Sequence, residues 1–121
     1  KGVTIMASLR EVTDATFERQ VLAAKGLVLV DFWGAWCPPC RALTPVLEAI
    51  AAEQADKLTI LKLDIDLNER TTMRYGVMSF PTLLLFRDGE PVKQIIGARP
   101  KSALMRELAP FLAQVPARVA V

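Results

Sequence analysis

The chain has 121 residues, the length of one domain, and its 52% hydrophobic and 23% charged content is that of a folded globular protein. Fifteen Lys and Arg against thirteen Asp and Glu leave a net charge of +2, too small to draw nucleic acid or an anionic membrane as partner. With two Cys and no His there is no four-ligand Cys/His metal site and no Ser-His-Asp or Cys-His catalytic set, and no apolar run approaches the roughly 18 residues of a membrane span.

Residues 1–8 lack the apolar core of a secretory signal and read as an N-terminal extension or a cloning remnant, with Met6 a natural start. Residues 9–121 read as one domain, and the absence of a targeting signal makes the cytoplasm the expected compartment. Leu9 to Val12 alternates like a short edge strand. Thr13 or Asp14 can cap a following helix with Phe17, Val21 and Leu22 inward, closed by Lys25-Gly26. Leu27 to Phe32 is a continuous aliphatic run of the kind buried on both faces of a parallel sheet. Gly34 to Cys37 turns out of it. Helical spacing then runs from Pro39 to about Gln54, with Leu43, Val46, Leu47, Ile50 and Ala51 on one stripe. Leu58 to Asp64 is a second central strand, and Asn68 to Tyr75 a short helix stopped by Gly76. Thr82 to Phe86 is a third strand, joined through Arg87-Asp88-Gly89-Glu90 to a returning partner at Val92 to Ile96. Lys101 to Leu112 is a last amphipathic helix with Leu104, Leu108 and Leu112 inward. The order β-α-β-α-β-α-β-β-α implies an α/β fold, a central mixed sheet with helices on both faces. No feature demands an oligomer.

Both cysteines lie in Trp36-Cys37-Pro38-Pro39-Cys40, directly after a central strand and at the opening of a helix. Open α/β sheets place their sites there, at the carboxyl ends of strands. A bridge between Cys37 and Cys40 would close too small a loop to stabilise the fold much, so the pair is better placed to react than to hold. A thiol at a helix N-cap feels the positive end of the helix dipole and can accept a free backbone N–H, both of which favour thiolate. With Cys37 at the N-cap, Pro38 and Pro39 are N1 and N2 and cannot donate, leaving the amide of Cys40. Residues i and i+3 of a helix hold Cβ atoms about 5–6 Å apart, and a disulfide needs roughly 3.5–4.5 Å, so the bond can form and break with modest distortion. The expected roles follow: Cys37 attacks a disulfide, and Cys40, one turn in, resolves the mixed disulfide.

The segments DFWGAWCPPCRALTP, KLDID, YGVMSFPTLLLFRDGE and IIGA, in that order and spacing, resemble the thioredoxin family, and the likeness runs from about Leu9 to Leu112. It implies a thioredoxin fold and a cytosolic electron carrier that reduces disulfide-containing protein substrates. It also implies recharging by an NADPH-dependent thioredoxin reductase, with no bound cofactor beyond the redox-active disulfide Cys37-Cys40. Matched residue by residue, Asp31 is a buried acid that assists proton transfer at Cys40, and Lys62 lies near it and tunes its pKa. Pro81, after Phe80, is a cis-proline lying against the cysteines. Trp36, Pro38, Pro39, Phe80, Pro81 and Gly97 form the substrate-binding surface, whereas Trp33 packs, Pro45 kinks its helix and Gly89 serves a turn.

Three positions depart from the family pattern. Pro38-Pro39 replaces the usual Gly-Pro between the cysteines, where the family tunes its potential. Gly34-Ala35 lacks the frequent acidic residue, and Met78-Ser79 replaces a basic residue and Gly. The Trp-Cys-Pro-Pro-Cys motif also resembles the membrane-anchored thioredoxin-like reductases of cytochrome c maturation, but Asp64 leads to Asn68 too directly to hold their extra segment. A disulfide-forming oxidase would carry His between its cysteines. A thioredoxin-scaffold binding module, with redox incidental, is the reading from a different class.

Overall fold

Seven residues from Leu27 to Trp33 carry almost nothing that gains from water, and the chain folds around them. The computed structural model describes residues 9–116, so the expectation for residues 1–8 lies outside the described residues. In chain order the elements are β1 (Arg10–Glu11), a π-helical segment (Glu18–Leu22), β2 (Leu27–Trp33), α1 (Pro38–Glu53), β3 (Leu58–Asp64), α2 (Glu69–Arg74), β4 (Thr82–Arg87), β5 (Glu90–Ile96) and α3 (Lys101–Leu112). The sheet order is β1-β3-β2-β4-β5, so β2 is central. It runs parallel to β3 and antiparallel to β4, while β1 is parallel to β3 and β5 antiparallel to β4. The expected mixed sheet is therefore present.

Alternation along the strands separates two cores. Leu27 and Leu29 join Leu58, Ile60, Leu83, Leu85 and Ile95 under α1 (Leu43, Leu47, Ile50) and α3 (Leu104, Leu108, Leu112). Val28, Val30 and Phe32 face the other way, against Phe17, Val21, Leu61, Leu63, Val77 and Phe86. Tyr75 and Phe86 meet edge to face at 5.5 Å between centroids on that side, a favoured aromatic geometry. Asp31 belongs to the first face. One register row crosses the sheet through Glu11, Lys62, Asp31, Leu83 and Ile95, passing from an exposed edge into the core.

Two expectations are corrected. The first helix is not a regular α-helix. Thr13 and Thr16 exchange side-chain bonds with each other's amides (2.9 and 3.2 Å), and the segment that follows closes an i to i+5 bond from the Ala23 amide to the Glu18 carbonyl at 2.8 Å. Val21 is buried as expected and Leu22 only half-buried. Asp14 does not cap this segment at all. Its carboxylate accepts from the Thr71 amide (2.8 Å), the Thr71 hydroxyl (2.6 Å) and the Arg70 amide (3.3 Å), which are first-turn groups of α2. The Asn68 side chain returns the favour by accepting from the Asp14 amide at 2.8 Å. Partial burial pushes the Asp14 carboxyl up, but the bonds from Thr71 and Arg70 and the Arg70 charge outweigh it and hold the group below the usual value.

The second correction is at the hairpin. The loop shrinks to Asp88-Gly89, both at positive φ (50° and 85°), the backbone that a tight two-residue hairpin requires. β5 accordingly starts at Glu90, and a register shift at Leu85/Phe86 leaves Val92, next to Pro91, without a partner on β4.

Candidate active site

The loop leaving β2 brings Cys37 to the N-cap of α1, and the amide accounting there is complete. The Cys37 amide donates to the Gly34 carbonyl at 3.1 Å, Pro38 and Pro39 have no amide hydrogen, and the Cys40 amide donates to Cys37 Sγ at 3.3 Å. The Arg41 amide then opens the helical ladder by bonding the Cys37 carbonyl at 3.1 Å. No free amide of the first turn remains for Sγ beyond that of Cys40. The two sulfurs are joined as a disulfide, with Cα atoms 5.3 Å apart. Cys40 is fully buried and Cys37 nearly so, so only one edge of the bond faces out. Pro45 stands within α1, where it withholds a donor from the ladder, and the Thr44 hydroxyl bonds the Cys40 carbonyl at 3.3 Å.

The segment before β4 closes over this edge. The Phe80–Pro81 bond is cis, and the Phe80 carbonyl oxygen lies 3.7 Å from Cys37 Sγ. The Pro81 carbonyl accepts from the Gly97 amide at 2.9 Å. Gly97 has φ +93°, and a Cβ there would meet nothing within 4 Å; the backbone conformation, not crowding inside the chain, is what asks for glycine.

Trp36, next to Cys37 in the chain, has 57% of its surface exposed. Its Nε1 donates to Asp66 at 2.7 Å, and its ring meets Phe80 edge to face at 6.0 Å. A Cβ on Gly34 would fall 2.7 Å from the indole, so the ring lies down on the one residue with no side chain to obstruct it. The sequence marked Gly34 as a turn residue without the family's frequent acidic side chain, and did not single out Asp66. Asp66 is thirty residues from Trp36 in the chain, and nothing local signals the bond. Met78, at 86% exposure, and Ile96, at 51%, are also apolar surface on the segments that flank Pro81 and Gly97.

Asp31 lies on the sheet face that α1 covers, 1% exposed. No protein donor reaches its Oδ1 among the described residues. Burial pushes its pKa from 3.8 up to about 7, and the Lys62 charge opposes the rise. Lys62 is its register partner on β3 and is half-buried, not a free surface side chain. Its ammonium lies 5.2 Å from the centre of the Trp33 ring. The structure thus brings Cys37, Cys40, Trp36, Phe80 and Pro81 together at one end of the sheet, with Gly97 bonded to Pro81 and Asp31 and Lys62 in the sheet layer beneath α1.

A disulfide-bonded cysteine pair in the first turn of the helix after the central strand of a mixed five-stranded sheet is the decisive arrangement, and the thioredoxin family model matches residues 8–110. The chain belongs to the thioredoxin family. It is 55% identical over 98 residues to a thioredoxin of Mycobacterium tuberculosis (strain ATCC 25618 / H37Rv), covering 81% of this chain and 84% of that protein. It is 53% identical over 100 residues to a thioredoxin of Alicyclobacillus acidocaldarius, covering 83% and 94%. A bifunctional thioredoxin reductase/thioredoxin of Mycobacterium leprae is 51% identical over 107 residues, 88% of this chain and 22% of the longer protein. Family and site together make the chain a thiol–disulfide oxidoreductase, the activity that thioredoxins carry and that the Cys37–Cys40 disulfide embodies. No helix among the described residues is long and apolar enough to cross a membrane.

Proposed function

We propose that this thioredoxin works as a reductase of protein disulfides and as a cytoplasmic electron carrier. The Cys37 thiolate attacks one sulfur of the substrate disulfide; that S–S bond breaks, a mixed disulfide forms and the first substrate thiolate leaves to take up a proton. Cys40 then gives up its proton and attacks Cys37 Sγ, expelling the second substrate thiolate and forming the internal disulfide. Two electrons pass from the dithiol to the substrate. Asp31 is the proton acceptor for Cys40. A carboxyl with its pKa pushed to about 7 holds or releases a proton near neutral pH with almost equal ease.

The observation that carries this reading is the Cys37 N-cap itself. One sulfur has an amide and a helix dipole to stabilise it as thiolate, and the other is fully buried; on the sheet face that α1 covers, Asp31 is buried without a hydrogen-bond donor to Oδ1. Substrate backbone docks along Trp36, Pro38, Pro39, Phe80, Pro81 and Gly97, the apolar rim around Cys37. A flavoenzyme thioredoxin reductase using NADPH recharges the pair, a partnership supported by the Mycobacterium leprae relative, a bifunctional thioredoxin reductase/thioredoxin. The protein acts as a monomer over residues 9–121, without a bound cofactor.

Dithiothreitol-driven reduction of a protein disulfide tests the reading. Wild-type protein accelerates it, and Cys37→Ser abolishes the acceleration while leaving the fold intact. Full activity in Cys37→Ser would show that the scaffold acts as a binding module. An equilibrium titration against dithiothreitol then places the potential: about 30 mV is 1.4 kcal/mol for a two-electron couple, and a value several such steps more oxidising than dithiothreitol-like reductants would assign an oxidase or isomerase role.

A further inference from the structure

We infer that Trp33 is a positioning residue whose indole face holds the Lys62 ammonium beside Asp31, and thereby sets how readily that buried acid releases its proton. The consequence for catalysis rests on the proton role proposed for Asp31, but the placement of the cation does not.

Three carboxylates surround Lys62 in the sheet. Glu11 is its register partner on β1 and Asp31 its partner on β2, while Asp64 lies two residues along β3 and opposite Trp33. Among the described residues, none of them forms an ion pair with it. Asp64 is occupied by the Asp66 amide at 2.9 Å. The group that the ammonium does meet is the Trp33 ring, 5.2 Å from its centroid, within the range of a cation–π contact. Trp33 is two residues from Asp31 on the same strand, so both side chains leave the same face of the sheet. The indole Nε1 is buried and no protein group accepts from it among the described residues, so packing and the cation are what orient the ring.

Without that ring the lysine has a better alternative. Glu11 is exposed at the sheet edge, and a flexible ammonium is better solvated there than against the core. The move would take the positive charge away from Asp31 and raise the acid's proton affinity. Among the described residues, Lys62 is the one cation that acts on Asp31. β4 and β5 contribute Leu83 and Ile95 in its row, and Arg41 in the first turns of α1 has its guanidinium bonded to the Ala35 carbonyl at 2.8 Å.

Titration of the Asp31 carboxyl by carbon NMR in the oxidised protein tests this directly. Trp33→Leu should raise the midpoint by about half a pH unit, the scale of a surface cation–π contact, and Trp33→Phe should retain most of the wild-type value because a π face remains. Lys62→Met should raise it at least as far, and Trp33→Leu should then add nothing on the Lys62→Met background. A Trp33→Leu shift that survives in Lys62→Met would overturn the inference, as would an unshifted midpoint in Trp33→Leu. If Trp33→Leu does not fold, the smaller Trp33→Phe shift and its disappearance in Lys62→Met decide the same question. A reductase assay on wild-type protein keeps the two readings apart, since loss of activity there leaves these midpoints unaffected.

Discussion

Asp14 and Asp31 are the same side chain driven in opposite directions by one fold. Asp14 is half-buried and surrounded by donors: two amides and a hydroxyl of the α2 first turn. Its ionised form is the stable one, and it ties α2 to the segment after β1. Asp31 is fully buried and no protein donor reaches its Oδ1. Its ionised form is the costly one, eased only by Lys62. What separates them is how deeply each is buried and whether hydrogen bonds arrive with that burial. Asp14 stabilises the fold. Asp31 weakens it where the proposed chemistry needs a proton acceptor, a conflict between stability and function that active sites commonly carry.

The largest effect should come from removing the costly group. A folded-state pKa raised from 3.8 to about 7 means the native protein retains a proton that the unfolded chain has released. Stability therefore falls as pH rises from about 3.8 to 7 and levels off above, and the difference of about three pKa units amounts to about 4 kcal/mol. Asp31→Ala should stabilise the oxidised protein by up to that amount at pH 8 and by almost nothing below pH 4, as read by urea denaturation. Asp14→Ala should do the reverse, costing about 2 kcal/mol at pH 7, the upper range for a helix cap. Because the Asp14 pKa is lowered, that contribution is present above the ordinary carboxylate value of 3.8 and is lost only as pH falls below it.

Thr71→Val, which keeps the shape of this buried side chain but removes the hydroxyl that Asp14 accepts from, should cost about 1 kcal/mol in the same assay. The finest test is additivity. The two aspartates share no hydrogen-bond partner, so the double variant Asp14→Ala/Asp31→Ala should match the sum of the single changes within about 0.5 kcal/mol. A larger deviation would mean that the cap and the site are coupled through the sheet.

The same contrast explains what was legible in the sequence. The start of α1 is a local matter: Cys37, two prolines and the Cys40 amide are adjacent, and their roles as N-cap, N1, N2 and donor could be assigned from spacing alone. Asp31 could be suspected as a carboxyl in an apolar strand. The start of α2 is not local. Its cap comes from Asp14, more than fifty residues earlier, and a helix-capping residue followed by apolar spacing is indistinguishable in sequence from a cap for its own helix. That is why Thr13 and Asp14 pointed to a regular helix at Phe17 to Leu22 where a π-helical segment stands. Asp66 and the Trp33–Lys62 contact were hidden for the same reason. Each depends on chain segments meeting across the sheet or loop, and neither periodicity nor composition records such meetings.

The central claim is that Asp31 takes the proton from Cys40 when the mixed disulfide resolves. The most direct measurement is the two-phase reaction of the reduced protein with an aromatic disulfide reagent, followed by stopped flow across pH. The first phase reports attack by Cys37 and the second resolution by Cys40. In wild-type protein the second phase should bend near pH 7, and Asp31→Ala should lose that bend and slow at neutral pH while the first phase changes little. A second phase with the same rate and the same pH profile in both proteins would contradict the account.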